Sequence, residues 1–154
     1  MLAGFNQDVS KRQLRHVFSM ALVVATGVFF FHTSVLFEMA NLLIAANAWL
    51  TGKYGPATAG KAVVLVAFFV LFITHVVEAS TWGLFLWHKA LIPTFSEGVY
   101  FSTTSITALG YGDVVLPPPW RMLGPLVAIS GILTFGCSTA FLFLLLQKVW
   151  VLER

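Results

Sequence analysis

The sequence predicts an all-α membrane protein with three spanning helices and one short helix that does not span. The first observation is composition: of 154 residues, 58% are hydrophobic and only 10% are charged, whereas an average soluble domain is about one-quarter charged. The second is that three long apolar runs each exceed the roughly 20 residues that a helix needs to cross a bilayer. The third is a short stretch rich in Ser, Thr and Gly between the second and third runs.

The first apolar run extends from Val17 to Leu50, behind a basic cluster at Lys11, Arg12 and Arg15. The run is too long for one crossing and short for two, and no Gly or Pro lies near its middle to turn a hairpin. We therefore interpret it as one long helix. Its first part, residues 17–37, spans the bilayer, and its second part, residues 38–50, leaves the bilayer or lies along its surface.

The remaining elements follow in order. Thr51–Pro56 has the composition of a turn, and the second run, Ala62–Trp87, is long enough to span. A short helix is predicted over Glu97–Thr107, with Ser96 as its N-cap and an acid in its first turn. At about 1.5 Å per residue it is too short to cross and should be re-entrant. Three consecutive prolines then forbid helix before the third run, Met122–Trp150.

The most unusual stretch is Ser102–Asp113, where a run of hydroxyl residues precedes Gly110-Tyr111-Gly112 and a single acid. Unpaired backbone is costly in hydrocarbon unless it lines a water-filled or ion-filled path. Glycine adopts positive φ without steric cost, so the carbonyl groups of residues 108–111 can all face one side. Four chains around an axis would then form rings of oxygen atoms that replace the water shell of a cation.

Residues 107–113, Thr-Ala-Leu-Gly-Tyr-Gly-Asp, resemble the selectivity filter of potassium channels, whose usual pattern is Thr-Thr-Val-Gly-Tyr-Gly-Asp. Residues 97–105 resemble the pore helix of that family. Trp120-Arg121 and residues 131–136 resemble the start and the hinge region of its inner helix. The resemblance covers residues 61–148.

The first apolar run gives residues 1–60 an N-terminal transmembrane helix with an interfacial extension, and the resemblance implies a channel-like pore module in residues 61–154. It implies a homotetramer around a central pore that conducts K⁺ passively across the plasma or inner membrane. K⁺ is then the permeating ligand, and neither a cofactor nor nucleic acid is expected. The alternatives are a weakly selective monovalent cation channel, or a non-conducting membrane subunit that regulates a partner. An unknown regulatory subunit is a further candidate partner.

The resemblance also assigns ion coordination to the filter. One position departs from the family pattern, because Ala108 stands where a threonine hydroxyl normally helps to form the innermost ion site. Alanine keeps the carbonyl and loses the hydroxyl, which weakens the expected preference for K⁺ over Na⁺. The backbone carbonyls expected to bind K⁺ are those of Ala108, Leu109, Gly110 and Tyr111, flanked by Thr107 and Gly112.

Asp113 lies just outside the filter, where a carboxylate attracts cations and braces the loop by hydrogen bonding. Tyr100 is its expected partner. The family often has tryptophan at the position of Tyr100 and a carboxylate at the position of Thr104, so the support behind the filter should be weaker or differently connected. The alternative is that Asp113 is an ordinary solvated loop acid.

Two further groups are functional candidates. His75 and Glu78 lie three residues apart on one helix face, and ionisable groups at membrane depth that titrate near neutral pH are candidate proton sensors. The alternative is a structural hydrogen-bonded pair, and we expect His32 to be a packing or interhelical hydrogen-bonding residue.

The third run carries a stripe that, by resemblance, faces the cavity. Phe143 is a candidate hydrophobic gate, and two glycines allow the helix to bend. Alternatively, the phenylalanines pack against the second run and the glycines permit close helix contact. The candidate gate and hinge residues are Gly131, Phe135, Gly136, Thr139, Phe143 and Gln147.

Several functions are excluded by what the sequence lacks. None of the spans carries a ladder of arginines, which excludes a standard voltage sensor. The sequence shows no metal-ligand motif, nucleophile triad or phosphate loop, so an enzyme is not expected.

The family orientation places the N-terminal basic cluster outside, against the positive-inside rule. A hairpin in residues 17–50 is the alternative that removes this conflict.

Overall fold

The structure is a computed structural model that describes the backbone of residues 2–152 and the side chains of residues 11–149. The sequence-based division places residue 1 in the segment 1–60 and residues 153 and 154 in the segment 61–154. These three residues lie outside the described residues. Within the described range the chain forms helices and connecting loops without a strand, which confirms the all-α prediction. The elements are α1 (Leu2–Tyr54), α2 (Pro56–His88), α3 (Phe95–Ile106), a 3₁₀ turn (Trp120–Met122) and α4 (Leu123–Leu152).

Three segments are long and apolar enough to cross a membrane, namely Lys11–Tyr54, Pro56–His88 and Trp120–Val149. Helix α3 has only 12 residues, or about 18 Å at 1.5 Å per residue, and cannot cross the roughly 30 Å hydrocarbon layer. The three predicted spans and the short helix between the second and the third are therefore confirmed.

Helix α1 is continuous over 53 residues, so the alternative of a hairpin in residues 17–50 is wrong. The predicted turn at Thr51–Pro56 is reduced to a single residue, Gly55, whose φ is +83°. The Gly55 N–H donates to the Thr51 carbonyl at 3.1 Å. Pro56 then begins α2, because the first turn of a helix does not need the N–H that proline lacks.

The described chain divides into two compact units, each built from parts of several helices. The first, here the α3 unit, consists of Met1–Phe29 and Val77–Leu133. The second, here the histidine unit, consists of Phe30–Val76 and Thr134–Arg154. The sequence-based division after residue 60 follows chain order and stays a prediction.

Glycines set the packing around α3 in the α3 unit. A Cβ atom built on Gly98 of α3 would lie 2.6 Å from the Gly83 carbonyl oxygen of α2. A Cβ on Gly131 of α4 would lie 2.5 Å from the Ile106 carbonyl oxygen. Real side chains do not approach backbone this closely, so α3 lies directly against the backbones of α2 and α4. For Gly131 this geometry fits the close-contact alternative, whereas Gly136 has no neighbour within 4 Å of a built Cβ.

The histidine unit has an apolar core to which α1, α2 and α4 all contribute. Met39 and Leu43 of α1 are buried against Val63, Ala67 and Leu71 of α2. Partly buried side chains of α4 complete the cluster, among them Phe141, Leu142 and Leu145.

Substituting Gly98 with alanine tests the importance of the close contact between α2 and α3. We expect Gly98→Ala to destabilise the protein by roughly 1–3 kcal/mol, because the new methyl group meets backbone that cannot rotate away. The measurement is the melting temperature of the detergent-solubilised protein, followed by loss of helical circular dichroism. Gly27→Ala is the matched control, since a Cβ at Gly27 meets nothing within 4 Å. Equal melting temperatures for the two variants would contradict the packing argument.

Candidate functional site

The short helix α3 starts earlier than predicted. Its N-cap is Thr94, which has extended backbone (φ −129°, ψ 154°) and whose hydroxyl accepts the Glu97 N–H at 3.2 Å. The prediction of Ser96 as the cap was wrong, and Ser96 lies inside the first turn. The pattern Thr-x-x-Glu over residues 94–97 is a capping-box sequence, so the signal for the correct start was present in the sequence.

The C-terminus of α3 continues directly into the glycine-rich loop through three hydrogen bonds. The Ala108 N–H donates to the Ser105 carbonyl at 2.9 Å, and the Leu109 N–H donates to the Thr104 carbonyl at 2.9 Å. This pair of bonds, with Ala108 at φ +56°, is the pattern of a Schellman motif. The Gly110 N–H also donates to the Thr104 carbonyl, at 3.0 Å. The first three N–H groups of the loop are therefore used to bind it to α3.

The backbone of the loop alternates in handedness. Ala108, Gly110 and Gly112 have positive φ values of 56°, 49° and 78°, while the intervening Leu109 and Tyr111 do not. Where left-handed and right-handed residues alternate, successive N–H groups turn towards one side. Among the described residues, no backbone N–H donates to the carbonyl oxygens of residues 108–111. These oxygens remain available to a ligand.

Two threonine hydroxyl groups near the loop donate to carbonyl groups of α3. Thr107 Oγ1 donates to the Thr103 carbonyl at 2.8 Å, and buried Thr104 Oγ1 donates to the Phe101 carbonyl at 3.0 Å. The side chain of Thr104 is therefore engaged with its own helix. The backbone carbonyl oxygen of Thr104 accepts two N–H groups of the loop. Sequence reasoning missed this feature of the site, because every residue has a backbone carbonyl and residue identity does not reveal which ones act as acceptors.

Asp113 and Tyr100 are in direct contact. The Tyr100 hydroxyl donates to Asp113 Oδ2 at 2.6 Å, so the structure brings together the two residues that the sequence paired. This hydrogen bond lowers the pKa of Asp113 below its usual value, and it raises the pKa of Tyr100. Asp113 consequently stays ionised at neutral pH and fixes the end of the loop to α3. Its role as a brace for ion binding stays a prediction.

The candidate proton sensors lie on α2, where Glu78 is almost fully buried. His75 Nε2 lies 3.0 Å from Ser138 Oγ of α4, and the imidazole stacks on the Phe135 ring with the centroids 4.1 Å apart. His32 is fully buried, and its Nε2 lies 3.3 Å from the same Ser138 oxygen. His32 is thus a packing and hydrogen-bonding residue as expected. The pH-sensing role of His75 and Glu78 stays a prediction.

The candidate gate stripe on α4 divides into two kinds of residue. Phe135 packs against His75, which fits the alternative that a phenylalanine of α4 contacts the second span. Thr139, Phe143 and Gln147 are exposed in the single chain, as a stripe facing a cavity between chains requires. The gating role of these residues, and the hinge role of Gly136, stay predictions.

Removing the Tyr100 hydroxyl tests the origin of the lowered Asp113 pKa. In Tyr100→Phe we expect that pKa to rise towards its usual value, because the hydrogen bond that favours the carboxylate is gone. Because the pKa of Asp113 is lowered, its carboxylate stabilises the folded loop at pH values above the usual aspartate pKa. This stabilisation is lost as the pH falls through the lowered pKa. In the variant the loss should therefore occur at higher pH.

The measurement is an NMR pH titration of protein labelled with ¹³C at the aspartate carboxyl groups. The sequence contains only Asp8 and Asp113, so two signals are expected and Asp8 serves as an internal reference. Tyr54→Phe is the control variant and should leave the Asp113 titration unchanged. An identical Asp113 curve in wild type and Tyr100→Phe would show that the hydrogen bond does not control this carboxyl group.

The chain matches the model of a known family over residues 62–148, more than half of its length, and that family is described as Ion channel. No solved structure matches the chain. The matched region begins near the start of α2 and contains α3, the glycine-rich loop and most of α4, and α1 precedes it. Three helices that are long and apolar enough to cross a membrane accompany this match. The chain is therefore a multi-pass membrane protein that belongs to the family of ion channels with two transmembrane helices of the potassium-channel-like type.

Proposed function

We propose that the protein is a K⁺-selective channel that conducts K⁺ passively, in the plasma or inner membrane, as a homotetramer. The observation that carries the proposal is the conformation of residues 108–112, in which positive φ alternates and the carbonyl oxygens of residues 108–111 receive no backbone N–H within the described chain. In a channel, oxygen atoms of this kind replace the hydration shell of the permeating ion.

Assembly follows from the number of oxygens that one chain supplies. Each residue of the loop contributes a single carbonyl to any ring around an axis, and a dehydrated K⁺ ion needs several ligands. Cyclic symmetry with four copies supplies four equivalent carbonyls at each level. In the single chain Leu109 and Tyr111 are exposed, and this exposure is what neighbouring copies would cover.

Electrostatics around the loop favours a cation. The C-terminal end of α3 carries partial negative charge and lies next to the loop. Asp113, held in its ionised form by Tyr100, adds a full negative charge at the other end. Negative groups at both ends of a narrow path raise the local concentration of cations.

A second candidate function is a weakly selective monovalent cation channel, and Ala108 is the observation that favours it. Its carbonyl lies at the inner end of the loop, and its side chain supplies no hydroxyl oxygen there. With fewer oxygen ligands at that level, the difference in binding energy between K⁺ and Na⁺ is smaller.

Within the same proposal, Thr139, Phe143 and Gln147 line the inner cavity, and Phe143 forms the hydrophobic constriction. Their exposure in the single chain supports this placement. His75 and Glu78 are the proposed proton-sensing pair on α2.

Ion flux into liposomes tests the function directly. We expect protein reconstituted in liposomes to pass K⁺ faster than Na⁺, because the carbonyl rings suit the larger ion. Equal rates would favour the weakly selective channel, and no flux of either ion would favour a non-conducting subunit. Gly110→Ala should reduce flux, since a Cβ at φ +49° is strained. Gly52→Ala is the control, because nothing lies within 4 Å of a Cβ at that position.

Ala108 offers a test of selectivity. We expect Ala108→Thr to raise the ratio of K⁺ to Na⁺ flux, because the hydroxyl restores a ligand at the inner end of the filter. Ala108→Val is the matched control, since valine has the shape and the β-branch of threonine without the oxygen. Any strain at φ +56° therefore affects both variants. A ratio that does not rise above that of the valine variant would mean that the inner-site account is wrong.

A further inference from the structure

Three side chains from three different helices converge inside the histidine unit. His32 of α1 and His75 of α2 both place Nε2 within hydrogen-bond distance of Ser138 Oγ on α4, at 3.3 Å and 3.0 Å. Their rings lie 5.3 Å apart between centroids. His32 is fully buried and Ser138 is 5% exposed. We call these residues the His-Ser-His cluster.

The chemistry of the cluster sets a constraint on protons. A serine hydroxyl has one proton, so it donates to only one of the two imidazoles. The other imidazole must then donate its own N–H to the serine oxygen. When Ser138 donates to one imidazole and accepts from the other, the two Nε2 atoms have opposite roles, and one nitrogen lone pair points at the shared oxygen.

The spacing of the two imidazoles fits a metal ion. One ring nitrogen of His32 and one of His75 lie within 4.8 Å of each other. A Zn²⁺ ion binds imidazole nitrogen at about 2.0–2.1 Å, which places two nitrogens roughly 3.4 Å apart at a tetrahedral angle. Two nitrogens that lie at most 4.8 Å apart must approach to this spacing for both to bind one ion.

We propose that His32 and His75 bind a divalent transition-metal ion of the Zn²⁺ type, with the Ser138 hydroxyl beside it as a weak ligand or as a hydrogen-bond partner of a bound water. Neutral imidazole is a preferred ligand of Zn²⁺, Ni²⁺ and Cu²⁺. The stacking of His75 on Phe135 holds its ring in orientation, as the surroundings of metal-binding histidines usually do. His75, which is partly exposed in the single chain, provides the route of entry.

One ligand of the proposed site lies outside the region that matches the family model, and the other lies inside it. His32 precedes the matched region, whereas His75 and Ser138 lie within residues 62–148. A metal ion bound to both histidines would therefore join α1, through coordinate bonds, to α2 within the histidine unit. This proposal does not depend on which ion the channel conducts.

Metal binding to the purified full-length protein tests the proposal. The protein is studied in detergent, without an affinity tag and in a Cys137→Ser background that removes the only thiol. Equilibrium dialysis against Zn²⁺ should show one ion per chain. His32→Gln and His75→Gln should each weaken binding by at least about tenfold, since losing a ligand costs no less than losing a supporting residue. The control is the double variant His16→Gln/His88→Gln, which should bind as wild type does.

Substitutions of Ser138 keep the test informative if a histidine variant does not fold. Ser138→Cys adds a thiolate ligand, so we expect tighter Zn²⁺ binding and a thiolate charge-transfer absorption band with Co²⁺ as the probe. Ser138→Ala should retain Zn²⁺ binding, because both imidazoles remain. Absence of the Co²⁺ band in Ser138→Cys would overturn the proposal, as would no Zn²⁺ binding in the background protein or equal affinity in the histidine and control variants.

Discussion

The conformation of the loop after α3 depends on where its N–H groups find acceptors. Two carbonyl groups in the last turn of α3, those of Thr104 and Ser105, accept the N–H groups of residues 108–110. Backbone N–H groups in a membrane must have partners, and here a helix terminus, which has unused carbonyls, provides them. The carbonyl oxygens of residues 108–111 accept no backbone N–H within the described chain, so another group must supply their partner. The way in which the N–H groups of the loop are satisfied is thus a consequence of how a helix ends.

This arrangement works only if α3 itself is fixed. The helix is too short to be held by its own hydrogen bonds, since isolated helices of about 12 residues are marginal in water. Its position comes from contact with neighbouring backbones at Gly83, Gly98 and Gly131, where a side chain on either partner would collide. In a membrane, where lipid is as apolar as the side chains, such close contacts between small residues are a main source of helix association. The glycine contacts that fix α3 are therefore also needed for the conformation of the loop.

Much of this organisation was predictable because it depends on local sequence. The three spans follow from the length of apolar runs, the short helix from its bounding prolines and hydroxyl residues, and the positive φ of Gly110 and Gly112 from residue type. The pairing of Tyr100 with Asp113 was suggested by resemblance. The two acceptors on α3 were not predictable, because backbone carbonyls are the same in every residue. The His-Ser-His cluster was also missed, since His32 and Ser138 are 106 residues apart and nothing in the sequence relates them.

Ala108 shows how two requirements meet at one residue. As the residue after the α3 cap it has φ +56°, a conformation in which glycine is usual and any Cβ costs about 1–2 kcal/mol. As the innermost carbonyl of the proposed ion path, it occupies a position where a hydroxyl would add a ligand. Alanine meets neither preference fully. It restricts the backbone more than glycine does, which favours a single loop conformation, and it avoids the β-branch of threonine, which crowds a left-handed backbone further. The identity of this residue therefore couples the ending of α3 to the proposed ion preference of the loop, so that a substitution made to alter one is expected to alter the other.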